Sequence, residues 1–381
     1  MNFELSEEQN LIRETVREFA EREIKPMAQE LDEKGEFSID LTNKIGELGL
    51  FGMNLPEKYG GQGLDTLSYI IAVEELARVD GSHAATLAAH NSLGIYPLFA
   101  FGNEEQKLKY LPQLCTGHGL WSFGLTEPGA GSDSRGSKTT AVLENDEWVI
   151  NGSKIFITNG SSEISKGCTV QVISGEENGK KIFSTVIVEN GTPGFKAVQM
   201  HGKMMWRASD TSELFFDDVR VPKDNLLGEV GMGSKIMLQT LDGGRLSIAA
   251  MGLGCAQGAF EMALSYANER KQFGKPISKF QINAFKLADM ATKIELGRNL
   301  LYKACWLKDN NKPFGKEAAM SKLYCSEIAR EVADEAVQIH GGYGLMKDYP
   351  VERFYRDQRL LQIGEGTSEI QRLVISRHIG C

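Results

Sequence analysis

The sequence predicts an α+β protein in three parts: an N-terminal helical domain over residues 1–120, a middle β-barrel or sandwich over 121–230, and a C-terminal four-helix bundle over 231–381. Two observations predict it. Apolar residues recur with a helical period in the first and last stretches and with a period of two in the middle one. The strand–helix–strand alternation of a dinucleotide fold is missing, so the β-segments must pack on one another rather than on crossover helices. A chain of 381 residues has room for two or three such cores.

The first stretch opens on Ser6 and Gln9, which have capping-box spacing. Behind them Ile12, Val16, Phe19 and Ala20 share one helical face, and Pro26 is expected to end the run. The Gly-rich KYGGQGLD breaks the helices near Gly60. The next helix carries Ile70, Val73, Leu76 and Ala77 on one face. In the middle stretch, TTAVLENDEWVINGSKIFIT reads as strands joined at the turn pairs Asn145–Asp146 and Asn151–Gly152. CTVQVIS, KKIFSTVIVE, GFKAVQM and TSELFFDDVRV add strands between Gly, Asn and Pro. The last stretch begins with GGRLSIAAMGLGCAQGAFEMALSYANER as one long helix. Further helices are expected over roughly 278–308, 314–339 and 366–378.

Composition excludes several functions. A formal charge of -9 argues against nucleic acid, which needs a basic footprint. No apolar run reaches membrane-spanning length. The N-terminus MNFELSEEQNLIRETVREF is acidic and amphipathic, unlike a signal or transit peptide, and points to the cytoplasm. The six cysteines are scattered, as free thiols in a reducing compartment would be. The histidines form no zinc-ligand pattern, so no metal is expected.

Five segments could carry chemistry. FGLTEPGAGSDS, residues 123–134, is a loop of glycines and small hydroxyls that could approach a flat ring or a phosphate. By composition alone a connecting turn explains it better. KIFITNG places Phe156 and Thr158 on one side of a strand, where they could flank a heterocycle or simply close a core. In ERKQFGKPISKFQ, Arg270 and Gln272 could clamp phosphate oxygens or form a solvated helix end. In QIHGGYG, Gly341–Gly342 could admit a ligand to the backbone or stop a helix. Glu365 stands between Gly364 and Gly366, ahead of a helix that Thr367 can cap. Desolvated in a cleft, such a carboxylate becomes a base near neutral pH. Left exposed, it only complements the helix dipole.

The segments TEPGAGSD, ITNG, ERKQFGKPI, QIHGGYG, YRD and EGTSEIQR also stand in the order and at the spacing of the acyl-CoA dehydrogenases, which the chain resembles over essentially its whole length. The resemblance implies helical, β and four-helix domains, and a homotetramer built as a dimer of dimers. It implies FAD between the β-domain and the last helices. Phe123, Leu125, Thr126, Gly131 and Ser132 would line the flavin, with Phe156 and Thr158 on another part of the ring. Relatives often have Trp at the position of Phe156. Arg270, Gln272 and Phe273, with Gln281 nearby, would reach the diphosphate or adenine across a subunit interface. Gln338, Gly341 and Gly342 would touch the same end, and Thr367 and Glu369 the flavin.

By the same resemblance, Glu365 takes the α-proton of an acyl-CoA while a hydride leaves the β-carbon for FAD. The thioester carbonyl would be held by the Glu365 amide and a ribityl hydroxyl. Some relatives place the base where this chain has Gly244, so Glu365 is the candidate. Asp242, Arg245 and Ser132 would meet the thioester and pantetheine, and Gly364 and Gly366 would flank the acyl group. Gly364 replaces the commoner Tyr, which widens the pocket and favours a branched or alicyclic acyl group over a straight short or medium chain. The electron acceptor would be an electron-transferring flavoprotein. An acyl-CoA oxidase, an enoyl-CoA reductase and a non-catalytic flavin-binding protein are the competing readings.

Overall fold

The computed structural model describes residues 4–381. The first helix, α1 (Glu7–Phe19), carries the expected capping box: the Ser6 hydroxyl accepts from the Gln9 amide at 3.1 Å, and the Gln9 side chain accepts from the Ser6 amide at 3.0 Å. Pro26 does not end the run. The ladder widens into a π-turn over Ala20–Ile24, and α2 (Lys25–Lys34) resumes with Pro26 in its first turn. A missing N–H does no harm there. Gly35, at φ +65, closes the helix instead.

Helices α3 (Ile39–Glu47), α4 (Thr66–Ala77), α5 (Gly81–Ala89), α6 (Tyr96–Phe101) and α7 (Glu104–Leu114) follow, with a π-turn at His90–Ile95 before α6. Helix α4 is buried on every side from Ser68 to Ala77, including its acids Glu74 and Glu75. Buried charge needs a partner. Glu75 is met by Arg17 at 2.9 Å and by Arg78 at 3.1 Å, and Glu74 by Arg298 at 2.9 Å.

The middle part is one curled seven-stranded sheet in the order β1-β4-β2-β3-β7-β6, with β5 also paired to β4. Its strands are β1 (Leu120–Gly124), β2 (Thr140–Glu144), β3 (Glu147–Thr158), β4 (Ser165–Glu177), β5 (Lys180–Glu189), β6 (Phe195–Gln199) and β7 (Thr211–Pro222). They close over Trp148, Ile150, Val170, Val186, Leu214 and Val219. Asn145 and Asp146 both take positive φ, 50 and 66, as a two-residue hairpin requires. Asn151–Gly152 is not a turn. Strand β3 runs through it, and the register against β7 shifts between Ile150 and Gly152. Gly152 is needed there because a Cβ would stand 2.6 Å from the Thr139 hydroxyl, and because its φ is +144.

The long helix α8 (Gly233–Glu269) begins at Gly233 rather than near Gly243, and a short hairpin, β8 (Lys271–Gln272) with β9 (Lys275–Pro276), follows it. Helices α9 (Gln281–Asp309) and α10 (Gly315–His340) pack beside α8. A Cβ at Gly252 would stand 2.7 Å from the Cys325 carbonyl, so glycine sets how closely α8 and α10 approach. A further helix, α11 (Val351–Leu361), precedes α12 (Ser368–Ile379). The apolar period does not announce α11, because Arg353, Asp357 and Gln358 on its buried face are polar. Among the described residues, no helix is long and apolar enough to cross a membrane.

Helix α11 ties the three parts together. Asp357 accepts from the Trp206 amide at 2.8 Å, Arg353 donates to the Val79 carbonyl at 3.1 Å, and Arg356 pairs with Asp32 at 2.7 Å. Burial, with Asp80 nearby, pushes the Asp357 carboxyl up to about 7. Replacing Asp357 by Ala leaves the buried Trp206 amide without an acceptor. We expect a loss of about 1–3 kcal/mol in denaturant unfolding. Asp357→Asn, which keeps an accepting oxygen, should lose clearly less.

Candidate active site

Glu365 lies on the corner between α11 and α12, where the chain turns too sharply for ordinary backbone. Its φ is +51 and that of Gly366 is +91. Positive φ is uncommon for a residue with a side chain and marks a conformation imposed by its surroundings. Thr367 caps α12, its hydroxyl accepting from the Ile370 amide at 3.3 Å. The corner therefore sends Glu365 inward while α12 continues away.

The residue keeps some exposure, but its Oε2 is buried and has no hydrogen-bond partner. Burial pushes the carboxyl up to about 7, partly offset by Lys322 and Arg245. The atom rests on Gly244 of α8, where any Cβ would collide with it. Leu93, on the π-turn before α6, stands 3.1 Å from the same position. Arg245 is bonded to Asp242 on the next turn of α8. Burial raises the Asp242 pKa even so. The Tyr69 hydroxyl is buried between Ser247, at 2.9 Å, and the Ala88 carbonyl. A buried acid with a raised pKa, one face of glycine and few nearby cations besides Lys322 and Arg245 make a carboxyl suited to accept a proton near neutral pH.

A second constellation forms on the β-sheet. Strand β1 carries the buried Phe123, and Leu125 and Thr126 follow it half-buried. The Thr126 carbonyl accepts from the Ile155 amide at 2.9 Å, which sets the Gly-rich loop beside Phe156. Glu127 pins that loop. Its carboxylate accepts from the amides of Lys138 at 2.6 Å and Thr139 at 3.0 Å, and from the fully buried Lys154 at 2.7 Å. Gly131 and Ser132 are exposed at its far side, and a Cβ on Gly131 would meet nothing within 4 Å. Phe156 is 64% exposed at φ +60, on a bulge of β3. The bulge modifies the expected simple alternation, although Phe156 and Thr158 both lie away from the buried Ile157.

A third constellation lies elsewhere. The β8–β9 hairpin holds Phe273 at its tip, 93% exposed at φ +50, with Arg270, Gln272 and Gln281 also exposed. Gln338, Gly341 and Gly342 stand exposed at the end of α10, and Arg270 lies 5.6 Å over the neighbouring Tyr343 ring. At 1.5 Å per residue, Gln338 is about 24 Å along α10 from Lys322, which adjoins Glu365. Within one chain the expected residues thus fall into three groups, and the hairpin group lies well away from the Glu365 corner along α10. Thr367 and Glu369 stay with Glu365 at the start of α12, as do Gly364 and Gly366 at the corner.

Models of the acyl-CoA dehydrogenase N-terminal, middle and C-terminal domains match residues 6–118, 122–219 and 231–380. The chain belongs to the acyl-CoA dehydrogenase family. It is 53% identical over 380 residues to a probable acyl-CoA dehydrogenase of Bacillus subtilis, covering 100% of both. It superposes on butyryl-CoA dehydrogenase from Megasphaera elsdenii with a TM-score of 0.96 at 45% identity, covering 100% of both chains. A chain in a structure of the electron transferring flavoprotein of Acidaminococcus fermentans matches with a TM-score of 0.97 at 47% identity, again over 100% of both.

This acyl-CoA dehydrogenase is an FAD-dependent oxidoreductase. The residues present fit that cofactor. Two aromatic rings, Phe156 and Phe273, are strongly exposed on strained backbone, a poor arrangement for either side chain unless it meets a flat partner. The glycines of the loop after β1 leave space rather than fill it.

Sequence reasoning missed Glu127, Lys154, Lys322 and Gln371 as parts of this architecture. The signal was present in Lys322, a lysine on the apolar face of α10 between Ala318, Ala319 and Cys325.

The raised Glu365 pKa has a consequence for stability. A carboxyl lifted from 4.5 to about 7 makes the folded protein bind more protons than the unfolded chain between those values. Stability contributed by this group is present at low pH and declines as pH rises through that window. Glu365→Gln cannot ionise. We expect it to unfold like the parent at pH 4, and to be more stable by on the order of 3 kcal/mol at pH 8. Thermal unfolding at the two pH values checks this.

Proposed function

We propose that Glu365 removes the α-proton of an acyl-CoA thioester while the β-carbon gives up a hydride, leaving the trans-2-enoyl thioester. The buried, unpartnered Oε2, with its pKa near 7, carries this reading. FAD, when bound, supplies the hydride acceptor. Phe123, Leu125, Thr126, Gly131, Ser132, Phe156, Thr158, Thr367 and Glu369 would hold its flavin end. Arg270, Gln272, Phe273, Gln281, Gln338, Gly341 and Gly342 would hold the other end from a second subunit. Exposed Ile282, Phe285 and Leu296 on α9 are in keeping with an assembly of several subunits, a homotetramer in our reading.

The chain's own contribution is to place and tune the base. Gly244 leaves room for the carboxyl, and Leu93 and Tyr69 exclude water. An α-proton beside a thioester leaves only when its carbonyl oxygen is stabilised as charge develops, and the amide of Glu365 is the donor proposed for that oxygen. Asp242 and Arg245, paired beside the corner, would meet the thioester and pantetheine, as would Ser132.

The acyl group we propose is short. Similarity to a butyryl-CoA dehydrogenase supports a straight short chain. Gly364 supports a branched or alicyclic one, because a Cβ there would meet only Leu360, at 3.6 Å, and glycine leaves that space free. An electron-transferring flavoprotein is the acceptor we propose, in keeping with the Acidaminococcus match, and the cytoplasm is the proposed location.

Glu365→Gln should keep its yellow cofactor and lose substrate bleaching by about 10²–10⁴-fold. Bleaching at the parent rate would remove Glu365 as the base. In the parent enzyme kcat/KM should fall as pH drops below about 7, because the carboxyl must be ionised to accept the proton. On matched linear, branched and cyclic thioesters, a ratio of kcat/KM favouring the branched or cyclic members supports the Gly364 pocket. A strong preference for linear butyryl chains rejects it.

A further inference from the structure

Lys322 on α10 is wholly buried, which is unusual for a lysine. Among the described residues it makes no ion pair within 4.0 Å. Its ammonium instead donates to the Gly366 carbonyl at 2.7 Å. The buried Gln371 on α12 donates to that same carbonyl at 3.0 Å and to the Glu365 carbonyl at 3.2 Å. Both carbonyls of the positive-φ corner are therefore held by donors from neighbouring helices. The backbone cannot relax to a commoner conformation without giving up these bonds.

The surroundings of Glu365 are short of positive charge. Arg245 and Asp242 face it from α8, but they are bonded to each other. Tyr69 faces it from α4 and is neutral. Lys322 faces it from α10, and Glu327 and Glu369 lie beyond that lysine on α10 and α12. Lys322 is thus the one cation in this set with no carboxylate of its own.

We propose that Lys322 is a positioning residue for the dehydrogenation: by clamping the Gly366 carbonyl it fixes the Glu365 corner, and by its charge it favours the ionised base. This rests on Glu365 being the base. Burial lowers Lys322 to about 8, while Glu365 is raised to about 7. Both groups are therefore charged together in a narrow window between those values. Below it the base is protonated, and above it the clamp loses its charge.

The test uses the FAD-loaded enzyme and three variants. Lys322→Met removes both clamp and charge, Lys322→Gln keeps a donor without charge, and Lys322→Arg keeps the charge. Two readouts are compared: the pH midpoint of kcat/KM on butyryl-CoA, and the pH midpoint of the Glu365 carboxylate band in infrared difference spectra against Glu365→Gln. Met and Gln should move both midpoints upward by about one unit, so that activity at pH 7 falls about fivefold and recovers in alkaline buffer. Arg should return the midpoints toward the parent value. KM should change less than kcat. If Gln, with native flavin absorbance and circular dichroism, keeps both parent midpoints, the proposal is overturned, even where Met fails to fold. That result differs from failure of the base itself, which would show as full activity in Glu365→Gln.

Discussion

A carboxyl oxygen buried without a hydrogen bond is unfavourable, and this chain keeps one at Glu365. Several otherwise unrelated features trace back to it. Gly244 is a glycine because any side chain there would occupy the carboxyl's place. The corner takes positive φ because only that turn aims Glu365 inward while α12 leaves in the other direction. A buried lysine is tolerated on α10 because the corner offers it a carbonyl and a nearby negative charge. In the proposed reaction the same burial that costs stability above neutral pH would give a base of useful strength there, so stability and activity would draw on one group in opposite senses.

Such a strained corner holds its shape only if the helices behind it do not move. The scaffold is tied by charges placed where water is scarce. Glu74 and Glu75 on α4 bind arginines from α9, α1 and their own helix, and Asp357 on α11 joins the β-sheet at Trp206. Each pair is of modest net value, since desolvation offsets much of the attraction. Removing one partner is costly, however, and so these pairs fix relative position more than they add stability. On the sheet, Glu127 and Lys154 do the same for the glycine loop, which has few contacts of its own.

Periodicity made the three-part fold readable, because a change from a helical period to a period of two is a direct consequence of which face is buried. What periodicity could not show was local exceptions to it. Pro26 read as a stop, but a π-turn absorbed it, and no apolar pattern encodes that extra residue. Asn151–Gly152 read as a turn, yet the same dipeptide served as a bulge once β7 lay alongside. Helix α11 was hidden because its buried face is polar. At the site, Glu365 was visible from its glycine neighbours. Its burial, and the lysine behind it, depend on α10, far away in sequence, and emerge only from packing.

The division of the remaining site residues follows from the same helix. Rings and phosphates of one extended cofactor cannot be gripped by a compact cluster. The side chains near the start of α12 and those at the end of α10 are separated by most of the length of α10. In the proposed function one chain would enclose the reacting ring beside Glu365, while its hairpin, with Phe273 exposed at the tip, would reach the cofactor of a second copy. A ligand shared in this way would make assembly and cofactor retention a single equilibrium: each docking subunit would supply contacts its neighbour lacks, and each bound cofactor would strengthen the contact between them. In such an assembly the stability of a strained, exposed tip such as Phe273 would be counted in the complex rather than in the isolated chain.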